Sequence, residues 1–247
     1  MLFRSIVRAL TLVTLGLCAA FAQAQDPSAN YPNRPVRVIS GSPGSTADIT
    51  ARFIGQKLSE RLKQQFVIDN RAGAGSIIGL QYAQIQAPDG YNLMLTSTAY
   101  GFLIDRPKPP VDIVNSFAPV AFLGMGDSAL TLHPSMRVNT VKELIDLAKK
   151  RPGELLYASS GIGGFPHMST ELFKMMTRTS ITHVPFKGGG PAAVDTMSGH
   201  TQIIMGSLPT VATMIASGRL KLIATGGAKR NPIYPNIPTV EIGRVHV

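Results

Sequence analysis

Two stretches of the chain share one build: an apolar strand, a turn of glycine and serine, then the start of a helix. The first is VRVISGSPGSTADITARFIGQKL, whose turn carries Ser42, Pro43, Gly44 and Ser45, with Thr46 and Asp48 just beyond. The second is ELLYASSGIGGFPHMSTELFKMM, with Ser159, Ser160, Gly161, Gly163 and Gly164 in its turn. Glycine lets a backbone approach a ligand closely, and the unpaired N–H groups and positive dipole end of a helix attract anions. The chemistry open to such a pair is the grip of a carboxylate between two sets of backbone donors. A third glycine turn, Phe186-Lys187-Gly188-Gly189-Gly190-Pro191, also precedes a helix. There Lys187 is either a partner for a ligand charge or a solvated surface lysine.

Each of these residues also has a plainer role. Asp48 lies in the first turn of its helix, where a carboxylate complements the dipole without any ligand and would repel an anion. Ser45 and Thr46 divide between helix capping and ligand hydrogen bonding. His167, at the start of the second helix, is either a structural partner or a ligand contact. Catalytic patterns are missing: there is no G-x-S-x-G elbow and no S-x-x-K pair. His133, His167, His183, His200 and His246 are dispersed without metal-ligand spacing, so neither a metal nor a cofactor is expected. Gly73-Ala74-Gly75-Ser76-Ile77-Ile78-Gly79 has one residue too many for a dinucleotide turn. It also lacks an acidic residue about twenty positions on, and reads as a tight strand-to-helix turn.

The elements that must position these turns alternate along the chain. VRVIS, FVIDN and YNLMLTS read as strands, the last ending at Ser97, with helices between them. Ile49, Phe53, Ile54, Leu58 and Leu62 recur at helical spacing and predict the buried stripe of the first helix. FAPVAFLGM and ALTLHP are strand-like. Thr140-Val141-Lys142-Glu143 has the spacing of a capping box and opens a helix that stops at Pro152-Gly153. Strands LLYAS, ITHVPF, TQIIMG and KLIAT then alternate with helices stopped by Gly199 and Gly218. Short links between alternating strands and helices indicate a parallel α/β architecture, with ligands at the carboxyl ends of the strands.

Residues 1–24 have the build of a secretory signal peptide, with Arg4 and Arg8, an apolar run, and Ala22-Gln23-Ala24 as cleavage site. The sole cysteine, Cys18, falls inside that segment, which leaves no disulfide in the mature chain. The chain carries 24 Lys+Arg against 14 Asp+Glu and stays basic without the leader. Its charges are scattered, tryptophan is absent, and no basic tract is interleaved with aromatics, so nucleic acid is not the expected partner. An anionic small ligand suits the charge, as does a simple role in solubility.

From about Tyr31 to Val240 the chain resembles the extracytoplasmic solute receptors of tripartite tricarboxylate transporters, the Bug-type periplasmic binding proteins. YPNRPVRV, PGSTADITAR, DNRAGAGSIIG, APDGYNLML, YASSGIGG, HVPFKGGGPA and AKRNPIYPNIPTV carry the resemblance. It implies a periplasmic protein of two α/β domains with mixed, mainly parallel sheets, closing like a flytrap on a small carboxylate. Residues 31–126 would form the first domain, 127–225 the second and 226–247 a truncated crossover segment. It further implies transporter subunits as partners, a monomer, and no catalysis. The ligand contacts it points to are Ser42, Gly44, Ser45, Thr46, Asp48, Ser97, Ser159, Ser160, Gly161, Gly163, His167, Lys187, Gly188 and Ser207. The chain departs from the family in Ser40-Gly41 before the first turn, in Ala99–Phe102 after the third strand, and in Gly206-Ser207 before Leu208-Pro209. It closes at EIGRVHV where family members continue with a returning strand, so the first domain is expected to be incomplete. The alternative is a truncated paralogue that no longer binds.

If the leader is as described, protein recovered from the periplasm will begin at Gln25 on amino-terminal sequencing. Mature protein found only in the cytoplasm contradicts this.

Overall fold

The computed structural model describes residues 30–97 and 109–240. The signal segment, Ala99–Phe102 and the closing EIGRVHV lie outside the described residues. In the first sheet β1 (Val36–Ser40), β2 (Phe66–Asn70) and β3 (Asn92–Met94) run parallel in the order β2-β1-β3. Helix α1 (Thr46–Leu62) links β1 to β2, and α2 (Ile77–Gln84) links β2 to β3. These are the crossovers that parallel neighbours require.

Helix α1 does not bury the stripe its spacing predicts. Ile49, Phe53 and Leu62 are exposed, Phe53 at 66%. The buried face is instead Asp48, Ala51 and Gly55. A Cβ on Gly55 would sit 3.3 Å from Ile68 Cδ1 and 3.4 Å from Phe66 Cβ, so the missing side chain lets the helix lie close on β2. Ser59 completes the seam, its hydroxyl donating to Gly55 O and accepting from Phe66 N. Small residues set the packing face here because distance to the sheet, not hydropathy, limits what fits.

A short helix, α3 (Ile113–Ser116), follows, capped by Asp112. The strand expected at FAPVAFLGM is not formed: residues 117–125 carry no regular structure. Val120, Phe122 and Met125 are at least 80% exposed. A strand needs a ladder partner for its N–H and C=O groups, and among the described residues none lies alongside this segment.

The second sheet has five strands in the order β6-β5-β7-β4-β8. They are β4 (Ser128–Leu132), β5 (Leu156–Ser159), β6 (Thr182–Pro185), β7 (Ile203–Ser207) and β8 (Lys221–Thr225). Strand β5 pairs parallel with β6 and β7, whereas β4 runs antiparallel between β7 and β8. The sheet is therefore mixed. Helices α4 (Val141–Lys150), α5 (Phe165–Thr177), α6 (Gly189–Met197) and α7 (Leu208–Ala216) cover it.

Alternation along the strands builds two cores. Leu130, Leu132, Tyr157, Ile203 and Met205 pack with Leu144, Ile145 and Ala148 of α4 and Phe173 of α5. Ala129, Ala158 and Ile204 point the other way, to Ala192 and Ala193 of α6 and Val211 of α7. Half of the expected capping box forms: Thr140 Oγ1 accepts from Glu143 N at 3.1 Å, but Glu143 Oε2 reaches one residue further back and accepts from Asn139 N at 2.7 Å. After β8 the chain runs back along the sheet through a bridge between Thr225 and Thr239.

The α1 packing yields a direct test. Gly55→Val should cost about 1–3 kcal/mol of stability by overpacking the seam. Phe53→Ser, on the exposed face, should stay within about 0.5 kcal/mol. Urea unfolding of both variants measures the difference, and the opposite ranking would contradict this packing.

Candidate functional site

The first turn is held by a single carboxylate. Ser45 caps α1, its hydroxyl accepting from Asp48 N at 3.3 Å. Asp48, only 3% exposed, accepts from Gly44 N at 2.9 Å and from Asn70 Nδ2 at 2.8 Å, and pairs with Arg52 at 3.0 Å. Asn70 also donates to Gly41 O, so the turn after β1 is tied to the end of β2. Burial pushes the Asp48 carboxyl up. The hydrogen bonds from Arg52, Asn70 and Gly44 N together outweigh it and hold the group below its usual 3.8. Asp48 thus faces the turn's own donors.

The second turn begins where β5 ends. Fully buried Ser159 accepts from Gly161 N at 3.1 Å, and its Oγ lies 2.6 Å from His183 Nε2 on β6. Gly163 N donates to His167 Nδ1 at 3.4 Å. Ser160 folds its hydroxyl over Gly164, the cap residue of α5. Helices α5, α6 and α7 start at Gly164, Gly188 and Ser207 without a side-chain cap, and α5 and α7 carry proline in the first turn. No capping side chain takes up the first N–H groups of α5 and α6, whereas α7 gives its first, Leu208 N, to Asp127 O at 2.9 Å and has proline next.

The turns of both sheets meet at one edge. Ser42 presses against Gly188, where any Cβ would collide with the serine hydroxyl. A Cβ on Gly190 would fall 2.5 Å from Pro43 O, so the two backbones touch directly. Gly75, in the turn before α2, lies against Ile162 and Gly164 of the second turn. Thr46 Oγ1 is hydrogen-bonded to Ser207 Oγ, and Thr210 Oγ1 stands 2.9 Å from the same atom. The starts of α1 and α7 are thereby linked.

Of the residues singled out from sequence, Ser42, Gly44, Thr46, Gly161, Gly163, Gly188 and Ser207 lie in these touching segments. Ser45 and Asp48 hold the first turn in shape, Ser159 and Ser160 shape the second, and His167 stands beside Gly163. Lys187 is exposed within the third turn, and Ser97 is exposed beyond β3. Sequence reasoning missed His183, Gly75, Gly190 and Thr210 as neighbours of the site. Pairing ITHVPF in parallel beside LLYAS would have brought His183 next to Tyr157, its partner in register. Thr210 could have been found three residues past Ser207, on the same first turn of a helix.

The chain is similar to known proteins over most of its length. Residues 50–246 match the family model described as tripartite tricarboxylate transporter family receptor. The chain is 32% identical to Protein BugT of Bordetella pertussis over 244 residues, covering 97% of this chain and 75% of that protein. The structure of R. palustris Rpa4515 with adipate superposes with a TM-score of 0.81 at 34% identity, covering 85% of this chain and 71% of that one. MatC (Rpa3494) from Rhodopseudomonas palustris with bound malate gives 0.77 at 26% identity, covering 85% and 72%. The periplasmic binding protein BugD gives 0.78 at 26% identity, covering 85% and 71%.

The Asp48 arrangement predicts an acid response. A carboxyl whose pKa is depressed on folding stabilises the fold above its unfolded value, and that stabilisation is lost as pH falls through the folded value. Stability should therefore decline as pH drops below about 4, and Asp48→Asn should remove part of that decline. Urea midpoints measured between neutral and acid pH for both proteins test this. Parallel curves would contradict it.

Proposed function

This chain belongs to the tripartite tricarboxylate transporter family of receptors, and we propose that it captures a small carboxylate and delivers it to membrane subunits of such a transporter. Members of this family are periplasmic solute receptors rather than enzymes. The observation that carries the reading is the meeting of three helix starts without side-chain caps and the Pro43-Gly44 turn of α1 at one edge. Backbone N–H groups fixed by the fold bind a carboxylate without the entropy cost of ordering long cationic side chains. Charge-assisted bonds of this kind are about twice as strong as neutral ones. Exposed Lys187 adds long-range attraction, as does the basic balance of the chain.

Adipate and malate, seen with two of the similar proteins, share two carboxylates and little else. That supports dicarboxylates as the first ligands to try. The contacts proposed are the Gly44, Ser45 and Thr46 segment on one side, with Ser159, Ser160, Gly161 and Gly163 on the other. Export through the leader at residues 1–24 and action as a monomer belong to the same proposal.

Calorimetric titration with adipate and malate tests it. At least one should bind, Ser159→Ala should weaken it by about tenfold or more, and Gly44→Val should weaken it by obstructing the backbone. A neutral sugar should not bind. Binding of the sugar with no response to either carboxylate overturns the reading.

A further inference from the structure

Beside the second turn lies a polar cluster shared by β5, β6 and α5. His183 stacks on Tyr157 with ring centroids 4.8 Å apart and an interplanar angle of 19°. The ring of His167 from α5 lies 4.6 Å from it, tilted by 49°. Glu171 accepts from Tyr157 Oη at 2.5 Å and from Lys174 Nζ at 2.7 Å. Beyond the hydroxyl of Ser159, the titratable and charged groups facing His183 are Tyr157 from β5 and His167, Glu171 and Lys174 from α5. Its Nε2 reaches Ser159 Oγ at 2.6 Å.

Ser159 has one hydroxyl proton, and its surroundings compete for it. Gly161 N already donates to the oxygen, and Gly161 O is a distant acceptor at 3.4 Å. When the neutral imidazole of His183 holds its proton on Nδ1, Nε2 is bare and the short contact requires Ser159 to donate to it, leaving a lone pair where a carboxylate would come. In the imidazolium Nε2 carries a proton, so it donates to Ser159 and the hydroxyl proton turns outward; a neutral imidazole protonated at Nε2 would do the same at every pH, and a flat wild-type profile would therefore overturn the pH dependence. Of the two arrangements, only the second offers an anion a donor.

We propose that His183 is a positioning residue: through Nε2 it sets the direction in which the Ser159 hydroxyl donates, so that a carboxylate binds more tightly when the imidazole is protonated. The inference rests on the reading of the second turn as a carboxylate site, and it adds a regulator that the backbone donors do not require. Binding then takes up a proton, and by linkage the affinity rises as pH falls. Burial first, and His167 next, push the His183 imidazole below its ordinary 6.5 before ligand enters. The neutral form therefore prevails at neutral pH. The gain is greatest below the free-protein value and is lost as pH rises through the higher value of the complex.

The test is calorimetric titration of adipate and malate from about pH 6 to about pH 8, where both ligands stay largely ionised. Wild type should bind about threefold or more tightly at the acid end. Calorimetry in buffers of different ionisation enthalpy should show net proton uptake. His183→Gln places a permanent amide donor near the same spot, so it should bind at every pH with a flat profile and no linked uptake. Ser159→Ala should be weak and equally flat, whereas His167→Gln should keep the slope. A slope that survives His183→Gln, or disappears only with His167→Gln, overturns the role given to His183 while leaving the carboxylate reading intact. A glutamine variant that does not bind overturns it as well. Wild type that ignores both carboxylates at all pH values overturns the carboxylate reading and this inference with it.

Discussion

Everything at the candidate site depends on two backbones touching where side chains would normally keep them apart. Gly188 leaves room for Ser42, and Gly190 leaves room for the carbonyl of Pro43. Any Cβ at either glycine would push the third turn away from the first, and with it the starts of α6 and α1. The close approach also brings Thr46 within hydrogen-bond reach of Ser207, linking helices from different sheets through hydroxyl groups alone. Short polar contacts of this kind contribute only about 0.5–1.5 kcal/mol each.

The two sheets give this edge unequal support. The five-stranded sheet is covered on both faces, and its two cores draw on β5 and β7, the strands that lead into the second turn and Ser207. The three-stranded sheet has a small buried cluster around Leu80 and Val111, while Val67, Ile78 and Phe53 remain substantially exposed. Its first turn therefore relies on polar ties, above all those that Asp48 makes with Gly44, Asn70 and Arg52. Ser159 and Ser207, by contrast, stand at strand ends anchored in a packed core. The second sheet works as a platform, and the first turn is a polar clasp laid against it.

Polar groups near that platform are arranged by chain spacing as well as by tertiary contact. Glu171 and Lys174 are one helical turn apart, and Tyr157 meets Glu171 because β5 underlies α5. His167, one turn before Glu171, comes against His183 from the next strand. Burial pushes the Tyr157 hydroxyl up, and its bond to Glu171 adds to that, so it stays a neutral donor at ordinary pH. The cluster accordingly brings two imidazoles next to an otherwise uncharged second turn.

The sequence by itself determined the alternation of strands and helices, the glycine stops, the Thr140 cap and the three glycine turns. These are local: they follow from periodicity, capping and backbone freedom within a few residues. It also placed those turns at the carboxyl ends of strands, since parallel crossovers leave little choice. What it misjudged was decided across space. The apolar spacing of α1 named Phe53, yet contact distance to β2 selected Ala51 and Gly55. FAPVAFLGM has the composition of a strand, but a strand exists only where another lies beside it. Only the tertiary structure brought His183 to Ser159 and Gly188 to Ser42, because strand order and the docking of one turn on another are set by packing between segments far apart in the chain.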